Sequence, residues 1–154
     1  MLCLASYDIV FQEIPGEVTL ALNLSGCPNR CPGCHSPHLQ KQIGEPLDEG
    51  LLSGLLKSYG SAVTCVCFMG GDGDPTEVAR LAGYVRNFPS YKLKTGWYSG
   101  RAALPEGFPT GSLDYLKLGP YIDKLGGLDM PSTNQRLYHI VAGELTDITF
   151  RFRK

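Results

Sequence analysis

The chain has 154 residues, 43% hydrophobic and 19% charged, enough for one domain around a sizeable core and too few for two separate ones. A formal charge of -1 gives no bulk attraction to a nucleic-acid backbone. The one basic concentration is the short Arg151, Arg153, Lys154 tail, so charge argues against nucleic acid as a partner. No stretch of apolar residues is long enough for a membrane span, and Met1 to Ala5 lacks the positive flank and apolar core of a secretory signal, so the expected location is the cytoplasm, without membrane association.

Ile9 to Phe11 form a short apolar run, followed by Pro15-Gly16 as a turn. Val18, Leu20, Leu22 and Leu24 then alternate with Thr19, Ala21 and Asn23, which predicts a strand; because Ala21 is also apolar, cover on both faces is expected. Leu47, Leu51, Leu52, Leu55, Leu56 and Tyr59 recur at three- and four-residue spacings and predict an amphipathic helix over 47–59 that stops at Gly60. Val63 to Met69 reads as a buried strand ending in Gly70-Gly71-Asp72-Gly73. Asp74 then suits a helix cap, Pro75 the first helical position, and Glu77 the far side of a capping box. Val78, Leu81, Ala82, Val85 and Phe88 supply that helix's inward stripe, and Pro89 closes it.

Tyr91 to Tyr98 is the next strand, leading into Ser99-Gly100. Residues 101–112, with Pro105, Gly107, Pro109 and Gly111, read as loop. Asp114 to Leu118 is a further strand, 121–133 a long loop, and Leu137 to Val141 and Ile148 to Phe152 are terminal strands. The order strand, helix, strand, helix, strand predicts an α/β fold with a parallel sheet in a single domain, residues 1–154. Fewer than eight such units fit, so a complete eight-unit barrel is excluded and a partial barrel or an open sheet remains.

Cys27, Cys31 and Cys34 stand within eight residues, directly after the first alternating strand, in a loop with Pro28, Pro32 and Gly33. Six cysteines without an export signal favour reduced thiols serving as ligands or packed side chains over disulfides. Three thiolates can hold three corners of an iron–sulfur cube and leave one iron open. Alternatively, with His38 as a fourth ligand they would make a closed structural zinc site, and the chain would be an adaptor rather than an enzyme; the adjacent His35 is badly placed to turn back on a metal held by Cys34.

The three-then-two spacing after a strand resembles the cluster motif of the radical S-adenosylmethionine enzymes. Further segments resemble one branch of that superfamily, the small activating proteins of the anaerobic ribonucleoside-triphosphate reductase. These are Cys31 to Leu39, Phe68-Met69-Gly70-Gly71-Asp72, Lys117-Leu118-Gly119-Pro120-Tyr121 and Ser132 to Tyr138. The resemblance implies a partial (β/α) barrel with a mostly parallel sheet, shorter than the full eight units. It implies that Cys27, Cys31 and Cys34 bind a [4Fe-4S] cluster whose open iron takes the amino and carboxylate groups of S-adenosylmethionine. Reductive cleavage would give methionine and a 5'-deoxyadenosyl radical, which removes a hydrogen atom from a backbone glycine of the large reductase subunit. An electron donor such as flavodoxin or ferredoxin is implied as a second partner, and activation of a different glycyl-radical enzyme is the alternative within the same chemistry.

By the same resemblance Gly70, Gly71 and Asp72 contact the methionyl amino group, largely through backbone, with Asp72 standing where the superfamily often has Glu. Ser99 corresponds to a strand-end hydroxyl that touches the methionine carboxylate, and Asn134 belongs to a signature segment near the cofactor. Gly33 stands where many relatives carry an aromatic residue near adenine. Each residue also has a plainer reading: a strand-ending turn for Gly70 to Asp72, a packed aromatic for Trp97, a turn cap for Asn134, and a surface ion pair for Arg136. Cys65 and Cys67, two apart in an apolar run, read as buried small hydrophobes and His139 as structural.

Overall fold

The computed structural model describes residues 2–25, 44–120, 122 and 124–152. Strand β1 (Leu2–Val10) is followed by β2 (Thr19–Leu24), β3 (Glu45–Leu47), helix α1 (Glu49–Tyr59), β4 (Cys65–Met69), helix α2 (Pro75–Arg86), β5 (Lys94–Tyr98), β6 (Tyr115–Leu118), β7 (Arg136–Val141) and β8 (Glu144–Asp147). All the described strands join one sheet in the order β3-β1-β2-β4-β5-β6-β7-β8. It is open, with β3 and β8 at its edges.

The α/β class agrees with the sequence, while the degree of parallel pairing needs correction. Only β2, β4, β5 and β6 run parallel to their neighbours in that group; β1 lies antiparallel to β2 and β3, and β7 antiparallel to β6 and β8. The sheet is therefore mixed. A parallel pair needs a long crossover, and helices α1 and α2 lie in two of these, whereas antiparallel neighbours need none.

Both helices begin as their caps require. Asp48 accepts the Leu51 N–H at 2.8 Å, which starts α1 beyond Leu47, a residue that instead belongs to β3. Asp74 accepts the Glu77 N–H at 3.3 Å with Pro75 in the first turn. Only that half of the expected capping box closes in this way, because the Glu77 carboxylate accepts from Arg80 Nε at 2.6 Å.

The main core joins one face of the sheet (Leu20, Leu22, Leu24, Val66, Phe68, Trp97, Leu116) to Leu52 and Leu56 of α1 and Val78, Leu81 and Val85 of α2. On the other face a smaller core gathers Cys65, Cys67, Tyr115 and Leu137 beneath Ile14 and Ile148. Burial on both faces is what the continuous apolar runs of β2 and β4 predict. The expected strand over 148–152 is instead a 3-10 turn at Thr149–Phe152. Ala142 and Gly143 both have positive φ, 53° and 81°, which reverses the chain in two residues and pairs Val141 with Glu144 at once.

Candidate cofactor site at the carboxyl edge

The parallel strands end together. Gly70 donates its N–H to Tyr98 O at 3.0 Å and Ser99 donates to Lys117 O at 2.9 Å, so the ends of β4, β5 and β6 are stitched side by side. Antiparallel β7 begins at the same edge, Arg136 pairing with Leu118, which brings Asn134 and Gln135 there as well. At the end of β2 lies Leu24, whose carbonyl oxygen would be 3.3 Å from a Cβ added to Gly70.

Gly70 and Gly71 have φ of 105° and 87°, a region that costs an L side chain free energy, and this lets the chain turn sharply as β4 ends. The turn delivers Asp72 inward. Asp72 is 1% exposed and Ser99 0%, so both belong to the interior. Ser99 Oγ donates to Asp72 Oδ1 at 2.5 Å, Gly100 N donates to Asp72 Oδ2 at 2.8 Å, and Arg101 N donates back to Ser99 Oγ at 3.0 Å. A buried carboxylate is tolerable when it is satisfied in this way. Arg101 also spans the turn, its Nη2 donating to Asp72 O at 2.9 Å.

Trp97 is fully buried, stacked on Phe108 with ring centres 5.0 Å apart. The packed-aromatic reading holds, with an addition: its Nε1–H donates to Gly70 O at 2.6 Å. Lys117 stands in the Lys117 to Tyr121 segment singled out in the sequence, but its burial was not legible there, because it alternates with leucines as a solvent-facing lysine would. It is 7% exposed, and its Nζ donates to Gly119 O at 2.8 Å and Ser99 O at 3.1 Å, tying together the turns after β5 and β6. The one available signal is its place just before the Gly119-Pro120 turn.

Asn134 Nδ2 donates to Pro120 O at 3.1 Å, while its Oδ1 is buried without a hydrogen-bond partner among the described residues. Arg136 lies 3.8 Å from Asp147, the surface pair expected on plain grounds. Burial pushes the Cys65 and Cys67 thiols well up, consistent with packed thiols; His139 stacks on Tyr115 at 5.0 Å. Beside Tyr98 the face opposite the helices opens into a cavity of about 520 Å³, lined also by Phe11, Glu13, Asp129 and Arg151.

The three cysteines of the proposed cluster, Cys27, Cys31 and Cys34, lie outside the described residues. Among the described residues no group of His, Cys, Asp and Glu could hold a metal ion, and no helix is long and apolar enough to cross a membrane. Gly70, Gly71, Asp72, Ser99 and Asn134, distant in sequence, come to one edge. Fold and site together define an open-sheet α/β protein with a glycine-turned, internally bonded polar edge at the carboxyl ends of its parallel strands. Comparison of the chain with family models, curated proteins and solved structures finds no match.

Proposed function

We propose that the protein is a radical S-adenosylmethionine enzyme that activates a glycyl-radical enzyme, with the anaerobic ribonucleoside-triphosphate reductase as partner and a flavodoxin- or ferredoxin-type donor supplying the electron. The observation that carries the reading is the arrival of Gly70-Gly71-Asp72 and Asn134 at the same edge of the sheet, the glycine turn lying beside Leu24, three residues before Cys27 in the chain. Ligands of parallel sheets sit beyond the carboxyl ends of the strands.

The donor set fits the implied groups. Cys27, Cys31 and Cys34 would hold three irons of a [4Fe-4S] cluster, and no fourth cysteine stands near them in sequence, which leaves one iron for the substrate. The partly exposed Gly70 lets a ligand approach backbone closely. Asn134 Oδ1, buried and without a partner among the described residues, is an acceptor that an ammonium or hydroxyl of a nucleoside ligand would satisfy. With cluster and S-adenosylmethionine bound, the site would gain one-electron cleavage of the sulfonium and, through it, hydrogen-atom abstraction from a backbone glycine of the partner.

The chain's own contribution is position. Asp72 and Ser99 hold the Gly70-Gly71 turn against β5, Trp97 fixes the Gly70 carbonyl, and Lys117 holds the neighbouring turn. Because the Ser99 proton is directed at Asp72, Ser99 acts in this reading by keeping that carboxylate in place. Protein reconstituted without air should be brown and contain about four iron and four sulfide per chain. With reductant it should convert S-adenosylmethionine to 5'-deoxyadenosine, and with the reductase give a glycyl-radical doublet by electron paramagnetic resonance. Colourless protein holding one tight zinc would reject the enzyme in favour of the structural adaptor; 5'-deoxyadenosine without the doublet would reject only this partner.

A further inference from the structure

With its proton on Asp72, Ser99 has no O–H to offer a carboxylate arriving at this edge. Lys117 is buried and already donates to two carbonyls. Arg101 differs from both. Its guanidinium belongs to an exposed residue, and among the described residues no carboxylate pairs with it. Among the described residues its guanidinium makes one bond, that from Nη2 to Asp72 O, which leaves most of a five-donor fork available within that set.

The loop carrying Arg101 is held from three directions: its N–H on Ser99 Oγ, its carbonyl accepting from Gly119 N at 2.6 Å, and its guanidinium on the last carbonyl of the Gly70-Gly71-Asp72 turn. A free surface arginine needs no such anchoring. The amino and carboxylate groups of an α-amino acid branch from one carbon, so their partners on a protein must be neighbours. Here the glycine turn proposed for the amino group and a guanidinium resting on that turn are in direct contact.

We propose that Arg101 receives the α-carboxylate of S-adenosylmethionine at this edge, a residue-level assignment that rests on the functional reading above. The guanidinium fork suits a carboxylate, and its anchor on Asp72 O sets the approach. Arg101 is then a specificity-determining residue that separates an amino-acid sulfonium from one lacking the carboxylate.

The test is equilibrium dialysis of the anaerobically reconstituted protein against S-adenosylmethionine and, in parallel, against decarboxylated S-adenosylmethionine. Arg101→Gln should weaken the first by about 10- to 100-fold, the loss of one charge-assisted contact, and leave the second within about twofold; Arg101→Lys should fall between. Equal weakening of both ligands would mean that Arg101 only stiffens the turn, and no weakening of either would mean that it touches neither; each result overturns the assignment while leaving S-adenosylmethionine binding intact. If the unaltered protein binds neither ligand, the assignment falls together with the functional reading.

Discussion

Glu17 and Asp72 are two buried carboxylates with opposite duties. Glu17 Oε1 accepts from Thr64 Oγ1, and Glu17 Oε2 from Lys94 Nζ and Tyr115 OH, each at 2.7 Å. Burial alone would push its carboxyl up, but the hydrogen bonds from Lys94, Tyr115 and Thr64 outweigh burial and hold it below the ordinary value of 4.5. A depressed carboxyl stabilises the fold above that ordinary value, and the contribution disappears as pH falls through the folded-state value. Unfolding free energy from urea titrations should therefore drop below about pH 4.5 in the unaltered protein. Glu17→Gln should be less stable by about 1–3 kcal/mol at neutral pH, with the gap narrowing in acid as the native glutamate takes up its proton. For Asp72 the sensitive partner is Ser99. Ser99→Ala removes a donor from one buried group and an acceptor from Arg101 N–H, and should cost about 1–3 kcal/mol by the same measurement.

At the scale of the element, the turn after β4 is where backbone strain and packing coincide. A Cβ on Gly71 would have φ of +87° and lie 2.8 Å from Val78 Cγ2 and 3.0 Å from Leu24 Cδ1, whereas one on Gly107, φ +76°, would meet nothing within 4 Å. Gly107→Ala should cost about 1–2 kcal/mol, the left-handed penalty alone. Gly71→Ala should cost more, because α2 and β2 must also shift. Thermal melts of the two variants check the order, and equal losses would show that the packing yields freely.

These same elements mark how far the sequence was legible. β2, β4, α2 and the place of the glycine turn follow from periodicity and cap residues, because their buried faces demand apolar side chains at fixed intervals. β8 does not, since every residue from Glu144 to Asp147 is exposed and hydrogen bonds to β7 leave no mark on composition. The exposed Ser6, Tyr7 and Asp8 likewise hid most of β1. At the site, types and positions were readable, but bonding was not: nothing in the string Ser99-Gly100-Arg101 says that the hydroxyl turns to Asp72 and the guanidinium to its carbonyl. Such contacts depend on two chain segments about thirty residues apart arriving in register.

Across the whole molecule the two carboxylates divide the sheet. Glu17, Thr64, Lys94 and Tyr115 lie just before or at the starts of β2, β4, β5 and β6, so a single carboxylate ties the amino ends of the parallel strands. Asp72, Ser99, Arg101 and Lys117 tie the carboxyl ends. Damage at the amino end should thus lower stability without abolishing ligand binding, while damage at the carboxyl end should do both. The cysteines give the sharpest version of this division. Cys65 begins β4 near Glu17, fully buried with its thiol pushed up by burial and by the Glu17 and Asp114 charges, as suits a packed thiol. Cys65→Ala should lose roughly 1 kcal/mol to the small cavity left behind while keeping its full complement of iron after anaerobic reconstitution. Cys31→Ala should melt as the unaltered apoprotein does, yet lose both the iron and the production of 5'-deoxyadenosine. Iron retained at the unaltered level in Cys31→Ala would remove Cys31 from the ligand set and with it the open-cornered cluster, since only two thiolates of that motif would remain to hold it.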